Sequence, residues 1–316
     1  MNNRKQKAAL ARIESALVRG ADHYFQQEGF VNVATVPHIV NITGACENVD
    51  TLYNFDYHGK EAFLTQTGQT ALELLTGDIE KVCCVIHSFR AEQDVDGRHL
   101  TEFPLVEFEF QYKDDGFPQL LHHIEQTIVA MVHNVLNLEQ ETLQQLGVDS
   151  ARLKKMKVPF ARISYDEAIQ LVGLSWGDDL KHEHEMMLTQ HFQGPVFVTR
   201  YPEKIKFFNM QRNLENPLLV NSTDLLLPFS GEAVGAAVRE HEYDLLLKKL
   251  KQSDMFRILS ARGKTLEDFS TYLDEVKNNP IPHAGCGIGL PRVAQFVLGA
   301  ADIRNAVVYP MNRDSL

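Results

Sequence analysis

The most informative part of the sequence runs Ser88-Phe-Arg-Ala-Glu-Gln-Asp-Val-Asp-Gly-Arg-His-Leu-Thr-Glu-Phe-Pro-Leu-Val-Glu-Phe-Glu-Phe110. It follows an apolar run at residues 81–87 that is typical of a buried strand. Asp96-Gly97 is a turn signal between this run and a second strand-like segment, which predicts an antiparallel hairpin with a polar loop. Apolar side chains of the second segment share one face and should pack on the core, whereas Glu107 and Glu109 share the other face, which must meet water or a polar site.

Helical and strand-like segments surround this hairpin. Apolar spacing predicts a helix over residues 10–25 that ends before Gly29, and residues 31–40 resemble a strand despite Pro37. Residues 117–146 and 293–298 also have helical patterns, and Thr265 begins a capping-box sequence. We find no repeat, low-complexity tract or Gly/Ser linker. The chain is therefore expected to form a single α+β domain with a mainly antiparallel sheet.

The composition narrows the class of protein. The 316 residues include 31 Lys and Arg against 42 Asp and Glu, a formal net charge of -11. Such an excess of acid lowers the expectation of nucleic-acid binding. No run of about 18 apolar residues is present, and the first residues do not resemble a secretory signal, so we expect no membrane partner.

The cysteine pattern favours a reducing compartment. Four cysteines are too few for a disulfide scaffold, and none lies in a C-x-x-C pair. The pattern predicts buried free thiols and a cytoplasmic protein. The residues are Cys46, Cys83, Cys84 and Cys286.

Four arginines lie where solubility alone does not explain them. Their guanidinium groups can bind phosphate and carboxylate with two parallel hydrogen bonds, so the set suits a polyphosphate together with an acid. The residues are Arg90, Arg98, Arg239 and Arg292. Carboxylates for Mg²⁺ or for a substrate ammonium are offered by Glu92, Glu102, Glu107, Glu109 and Glu232.

A run of alternating glycines, Gly285-x-Gly287-x-Gly289, precedes Arg292. It is not a Rossmann fingerprint, because no strand and ribose-binding carboxylate follow it. Taken alone, it favours a tight turn over a ligand-binding loop. The histidines form no convincing zinc set, and no hydrolase nucleophile motif is present.

Three longer motifs then occur in a fixed order along the chain. The first covers residues 10–40, the second residues 82–112 and the third residues 281–300. Between them lie Thr65-Gln-Thr-Gly-Gln69, Tyr201-Pro-Glu-Lys-Ile-Lys-Phe-Phe-Asn-Met210 and Gly231-Glu-Ala-Val-Gly-Ala-Ala-Val-Arg-Glu240. In this order the segments resemble motifs 1, 2 and 3 and the intervening elements of class II aminoacyl-tRNA synthetases, in the asparaginyl/aspartyl branch.

The resemblance implies a catalytic domain over residues 1–316, with a six- or seven-stranded antiparallel sheet flanked by helices and a homodimer formed through motif 1. It also implies ATP and Mg²⁺ as cofactors. An amino-acid carboxylate would attack the α-phosphorus of ATP and release pyrophosphate. Because that carboxylate is already ionised at neutral pH, alignment and charge stabilisation suffice without a general base.

The resemblance also assigns residues to the nucleotide. Arg90, Arg98 and Arg292 would be the catalytic arginines, with Arg90 on the α-phosphate and the new carbonyl. Arg98 and His99 would hold the γ-phosphate, and Glu92 would lie near adenine. Phe103 and Arg292 would cover the two faces of adenine. Glu232 together with Asp224 would bind Mg²⁺.

The amino acid is assigned a second set of residues. Glu47 and Gln69 would bind its α-amino end, and Arg239 its side-chain carbonyl or carboxylate. Glu107 would border the side-chain end, as in asparaginyl enzymes. The aspartyl branch has an aspartate at that position and a lysine where this chain has Leu72, so both differences point away from plain aspartate recognition.

Family members that charge tRNA carry an N-terminal anticodon-binding barrel of roughly a hundred residues. Motif 1 begins here almost at Met1, so we expect no such domain and no efficient charging of tRNA.

Three functions are then open. The first resembles the archaeal-type asparagine synthetase related to asparaginyl-tRNA synthetase, in which ATP activates the side-chain carboxylate of aspartate and ammonia displaces AMP to give asparagine. The second is a paralogue that adenylates asparagine, aspartate or an analogue and transfers it to an amine other than tRNA. The third, a non-enzymatic regulator, ranks last because all four arginines are present.

Overall fold

The computed structural model of the chain describes residues 3–42, 49–93 and 95–315. Its strands are β1 (Val31–Asn32), β2 (Ile39–Val40), β3 (Asn54–Tyr57), β4 (Lys60–Leu64), β5 (Lys81–Phe89), β6 (Glu102–Gln111), β7 (Ala161–Ser164), β8 (Val196–Thr199), β9 (Ser222–Leu227), β10 (Gly231–Val238) and β11 (His283–Gly289). Its α-helices are α1 (Asn3–Gln27), α2 (Gln69–Glu73), α3 (Gly116–Leu138), α4 (Gln140–Gln145), α5 (Ala151–Lys154), α6 (Tyr165–Val172), α7 (His182–Phe192), α8 (Tyr243–Gln252), α9 (Asp254–Ala261), α10 (Ser270–Asn278) and α11 (Leu290–Leu298).

A large sheet of eight strands organises the fold, in the order β1-β5-β6-β11-β10-β9-β8-β7. Its interior pairs are antiparallel, and only the edge pairs β1/β5 and β7/β8 are parallel. The α+β class and the mainly antiparallel sheet are thus confirmed, with one or two more strands than expected. The expectation of one strand over residues 31–40 is wrong: only β1 and β2 form, and Pro37, which cannot donate to a sheet, lies between them.

One face of the sheet packs on helices. Val106, Phe108 and Phe110 of β6 are buried against residues of α1 and α3. The Phe108 ring lies 5.7 Å from the ring of Phe25 and 5.5 Å from that of Phe30, both in edge-on contact. Each such side chain contributes about 1.5–3 kcal/mol through burial. The predicted core face of the hairpin is therefore confirmed.

The opposite face of β6 carries Glu107 and Glu109, and α2 packs over it. Both carboxylates are buried, so this face meets a polar site inside the protein and not bulk water. The hairpin itself is antiparallel over residues 81–89 and 102–111. Residues 90–93 and 95–101, which connect the two strands, form no helix or strand, and Asp96-Gly97 lies near their middle.

The alternating glycines lie in β11, so the expectation of a tight turn is wrong. Gly285 pairs with Glu109 and Gly287 with Glu107 across β6. A Cβ atom on Gly285 would lie 2.2 Å from the carboxyl carbon of Glu109, and one on Gly287 would lie 3.3 Å from Glu107 Oε1. The glycines therefore leave room for the two buried carboxylates.

Gly285→Ala is expected to lower the free energy of unfolding by about 3 kcal/mol, because the added methyl group overlaps Glu109 and the Phe108 carbonyl oxygen. Gly194→Ala is the matched control: nothing lies within 4 Å of its Cβ position, and alanine should be tolerated there. Urea unfolding of both variants measures the difference. Equal midpoints for the two variants would contradict this account of β11.

Cys83, Cys84 and Cys286 are buried free thiols, as predicted, and Cys46 lies outside the described residues. Among the helices in the described ranges, none combines the length and the apolar character that crossing a bilayer requires. The cytoplasmic location and the assignment of residues 1–316 to one catalytic domain stay predictions.

Candidate active site

A cleft of about 400 Å³ opens on the polar face of the sheet. The structure brings together in it all but two of the residues that the sequence analysis assigns to a site. Those that line the cleft are Gln69, Arg90, Glu92, Arg98, His99, Phe103, Glu107, Glu232, Arg239 and Arg292. Of the other two, Glu47 lies outside the described residues, and Asp224 is buried on β9 beside the cleft.

Three arginines make one end of the cleft strongly cationic. Arg292, in the first turn of α11, donates from Nη2 to the carbonyl oxygen of Arg98 at 3.0 Å and from Nη1 to that of Ser230. Burial and the nearby charge of Arg98 lower the pKa of Arg292. Positive charges held this close repel one another, so this end is poised to bind a polyanion.

Arg90, which follows β5, is exposed, and its Cζ atom lies 5.4 Å from the centre of the Phe103 ring. No carboxylate within the described ranges forms an ion pair with it. Its charge is therefore available to a ligand. In this position Arg90 lies over the Phe103 ring, on which adenine is expected to stack. The stacking of adenine between Phe103 and Arg292 stays a prediction.

The loop that carries Arg98 and His99 is ordered by Asp96. The backbone N–H groups of Arg98 and His99 donate to Asp96 Oδ1 at 2.8 and 2.9 Å, and the His99 ring lies 2.9 Å from Asp96 Oδ2. Arg98 Nη2 also lies 3.7 Å from Glu185 of α7. Two acidic side chains thus hold the cationic loop over the cleft.

Arg239 lies at the opposite end of the cleft and is nearly inaccessible. Its Nη2 donates to Glu109 Oε1 at 2.5 Å and its Nε to the same oxygen at 3.2 Å, while Nε lies 3.9 Å from Glu73 Oε1. Burial lowers the pKa of Arg239, but the charges of Glu109 and Glu73 outweigh burial and raise it. The charge of Arg239 is therefore already matched inside the protein.

Glu107 borders the same end. Thr67 Oγ1 and the backbone N–H of Gly68 each donate to its carboxylate at 2.6 Å. Burial raises the pKa of Glu107 to about 7, against the effect of these two hydrogen bonds. Glu107 and Arg239 together offer a hydrogen-bond acceptor and a donor to a ligand in the cleft.

The acidic residues expected to bind Mg²⁺ differ in their surroundings. Glu232 is exposed to the cleft, whereas Asp224 lies 2.8 Å from Lys206 Nζ in an ion pair. Among residues 3–42, 49–93 and 95–315, no group of three acidic, histidine or cysteine side chains could hold a metal ion. Because Mg²⁺ is often held by one or two carboxylates together with substrate phosphates, Glu232 fits such a site.

Three residues at this site have no role assigned from the sequence: Glu73, Glu185 and Asn209. Glu109, which the sequence offers only as a carboxylate for Mg²⁺ or for a substrate ammonium, instead pairs with Arg239. For Glu73 a signal exists, because it follows Gln69 by four positions on a helix, which places the two side chains together. Glu185 and Asn209 reach the site only through tertiary contacts, so no local pattern reveals them.

Comparison with known proteins agrees with this geometry. Residues 1–313 match the family described as tRNA synthetases class II (D, K and N), and the chain belongs to that family. The resemblance found in the sequence is therefore confirmed.

The most similar relatives narrow the class further. The chain is 36% identical over 311 residues to the asparagine–tRNA ligase of Pelotomaculum thermopropionicum, covering 96% of this chain and 69% of that protein. Identity to the asparagine–tRNA ligase of Pyrococcus abyssi is 35% over 309 residues, covering 96% of this chain and 68% of the relative. This chain is an asparaginyl-tRNA synthetase-like enzyme of the adenylate-forming class II ligases.

Solved structures give the same result. Asparaginyl-tRNA synthetase from Pyrococcus horikoshii, complexed with asparaginyl-adenylate, superimposes with a TM-score of 0.89 at 33% identity, covering 99% of this chain and 70% of that one. The enzyme from Entamoeba histolytica, also with asparaginyl-adenylate, gives a TM-score of 0.83 at 28% identity, covering 97% and 67%. The class II catalytic fold is thereby confirmed.

Proposed function

We propose that this enzyme joins the carboxylate of a small amino acid to the α-phosphate of ATP. A carboxylate oxygen attacks the α-phosphorus, the bond to the β-phosphate oxygen breaks, and aminoacyl-adenylate and pyrophosphate leave. One observation carries the proposal: a single cleft is lined by Arg90, Arg98 and Arg292 at one end and by Arg239 and Glu107 at the other. A polyphosphate and an amino acid can thus meet inside it.

Arg90, Arg98 and Arg292 supply the electrostatic part of this proposal. As the carboxylate attacks and the bond to pyrophosphate breaks, negative charge develops on the phosphoryl oxygens, and donors that are already fixed in position stabilise it. Glu232 would hold Mg²⁺, which neutralises phosphate charge when bound. His99 and Glu92 border the same space and retain their proposed contacts to the γ-phosphate and adenine.

The end of the cleft lined by Arg239 and Glu107, here called the amino-acid end, favours a neutral group that both donates and accepts hydrogen bonds. Arg239 is already balanced by Glu109 and Glu73, so an additional carboxylate there would add unmatched negative charge beside Glu107. A carboxamide donates to Glu107 and accepts from Arg239. An α-amino acid head group, with its ammonium and carboxylate, offers the same combination.

Two substrates meet this requirement. Asparagine would place its carboxamide there and present its α-carboxylate to ATP, which agrees with the names of the relatives. Aspartate would place its head group there and present its side-chain carboxylate, so that ammonia could displace AMP and yield asparagine. Asparagine is our first candidate substrate, and the amidation of aspartate is the second.

A pyrophosphate-exchange assay separates these candidates. The protein is incubated with ATP, Mg²⁺ and asparagine or aspartate, with and without ¹⁵N-ammonium, and with and without tRNA. Exchange with asparagine supports the first candidate, and transfer to tRNA or another amine then identifies the acceptor. Ammonium-dependent formation of ¹⁵N-asparagine from aspartate supports the second. Absence of exchange with either amino acid would overturn the adenylation proposal.

Homodimerisation is part of the same proposal. β1 lies at an edge of the large sheet, and Val31 of β1 and Val85 of β5 are both 47% exposed. A second copy docking through motif 1 would cover them. Sedimentation equilibrium should give twice the chain mass, and a monomer at micromolar concentration would contradict this part.

The pH dependence of catalysis should report on Glu107. Its carboxylate must be ionised to accept from the amino acid, and its pKa in the free protein is about 7. We therefore expect kcat/KM for the amino acid to fall as the pH is lowered below about 7, approaching tenfold per pH unit. The KM for ATP, measured across the same range, is the control; a flat amino-acid profile between about pH 6 and 8 would contradict the role of Glu107.

A further inference from the structure

Glu73 is a buried carboxylate behind the cleft. It is the last residue of α2, its side chain is only 2% exposed, and it borders a smaller cavity together with Tyr272 and His283. Glutamate is almost never fully buried in proteins unless its charge is paired. The partners of Glu73 therefore indicate what its charge does.

One carboxylate oxygen of Glu73 faces the cleft. Oε1 accepts a hydrogen bond from Gln69 Nε2 at 2.5 Å and another from Asn209 Nδ2 at 3.1 Å, and it lies 3.9 Å from Arg239 Nε. All three of these side chains line the cleft. A single buried atom thus contacts a large part of the amino-acid end.

The other oxygen anchors Glu73 to the body of the protein. Oε2 accepts from Tyr272 Oη at 2.8 Å and from His283 Nε2 at 3.0 Å. His283 Nδ1 lies 2.7 Å from the Ile281 carbonyl oxygen. Because both neighbours of the ring only accept hydrogen bonds, His283 donates from both nitrogens and is an imidazolium.

We propose that Glu73 is a positioning residue that holds Gln69, Asn209 and Arg239 in the geometry that recognises the amino acid, without touching the substrate itself. The inference rests on the proposed adenylation activity and deepens it. Tyr272 and His283 fix the carboxylate from behind, and the carboxylate fixes the three cleft residues in front.

The chemistry of the surrounding groups explains why a carboxylate is required. Four donors converge on Glu73, from Gln69, Asn209, Tyr272 and His283. A glutamine amide has one accepting oxygen and an NH₂ group that donates, so it places a donor against donors on one side or the other. The charge that helps to balance Arg239 is lost as well.

Glu73→Gln tests this inference, with Glu125→Gln as the matched control. Glu125 is also a buried glutamate, but it accepts a hydrogen bond from the Phe160 backbone N–H and is not one of the residues that line the cleft. In Glu73→Gln we expect the KM for the amino acid to rise about tenfold or more, the size of one lost hydrogen bond to a charged group. The KM for ATP should stay within about twofold, as should both KM values in Glu125→Gln.

A merely structural role predicts another pattern. Loss of folded protein lowers kcat and leaves both KM values unchanged, and that result in Glu73→Gln would overturn the inference. If Glu73→Gln does not fold, Glu73→Asp keeps the charge but withdraws the carboxylate by one methylene; an unchanged amino-acid KM there would overturn it equally. If wild-type protein assayed in parallel shows no pyrophosphate exchange, the proposed adenylation itself is wrong. If the wild type is active, a negative result concerns only the role of Glu73.

Discussion

Replacing Arg90 by alanine is expected to slow adenylate formation roughly 10³-fold, the size of effect seen when a fixed donor to a transition-state oxyanion is removed. Arg90 is exposed in the cleft, and its contact is the Phe103 ring, so its loss should leave the free energy of unfolding within about 0.5 kcal/mol of wild type. Single-turnover formation of AMP and urea unfolding measure the two effects.

Arg257→Ala is the matched control for this prediction. Arg257 is also an exposed arginine, but it pairs with Asp254 on α9 and does not border the cleft. Arg257→Ala should therefore turn over at the wild-type rate. Arg90→Lys keeps the charge without the planar fork and should fall between alanine and wild type. Near-normal AMP formation by Arg90→Ala would remove Arg90 from the reaction.

Arg239→Met is expected to have the largest effect on stability. The substitution removes the guanidinium that is hydrogen-bonded to buried Glu109, and breaking a buried ion pair in this way costs about 3–5 kcal/mol. Urea unfolding at neutral pH should show this loss. The substitution also removes the donor that the proposal assigns to the amino acid, so amino-acid-dependent exchange should disappear.

A second substitution separates lost charge balance from lost packing. Arg239→Met combined with Glu109→Met removes both members of the pair, and replacing a buried pair by apolar groups is often nearly neutral. The double variant should recover more than half of the lost free energy of unfolding while remaining inactive. A double variant as unstable as Arg239→Met alone would show that packing and not charge explains the loss.

Strands and helices long enough to show a periodic pattern of apolar residues could be predicted from the sequence, and the shortest strands could not. The alternation along residues 103–112 correctly separates the core face of β6 from its polar face. β1 has two residues and β7 has four, too few for a periodic pattern that would delimit either strand. The glycines of β11 were misjudged because glycine is a turn signal by itself; here Glu107 and Glu109 on the neighbouring strand require the space.

The residues of the candidate site could likewise be predicted only where the neighbouring sequence is distinctive. Arg90 and Arg292 could be predicted because their neighbours in the sequence are distinctive: Arg90 ends an apolar strand, and Arg292 follows three alternating glycines. Glu73 supports the cleft from a buried position, and its partners come from positions as distant as Asn209 and His283. A sequence does not state such proximity, so supporting residues become visible only once the chain is folded.

The glycines have one more consequence, which concerns inhibitors. Gly235, Gly287 and Gly289 all border the cleft, so part of its floor consists of main chain without side chains. Main-chain atoms are the same in every amino acid, so a point mutation cannot change this surface except by adding a side chain. A side chain added there would also block the natural ligand. A compound that binds flat on this floor would therefore contact a surface that mutation cannot easily alter. Resistance to such a compound should therefore arise at the arginines of the rim, where it would also reduce catalysis.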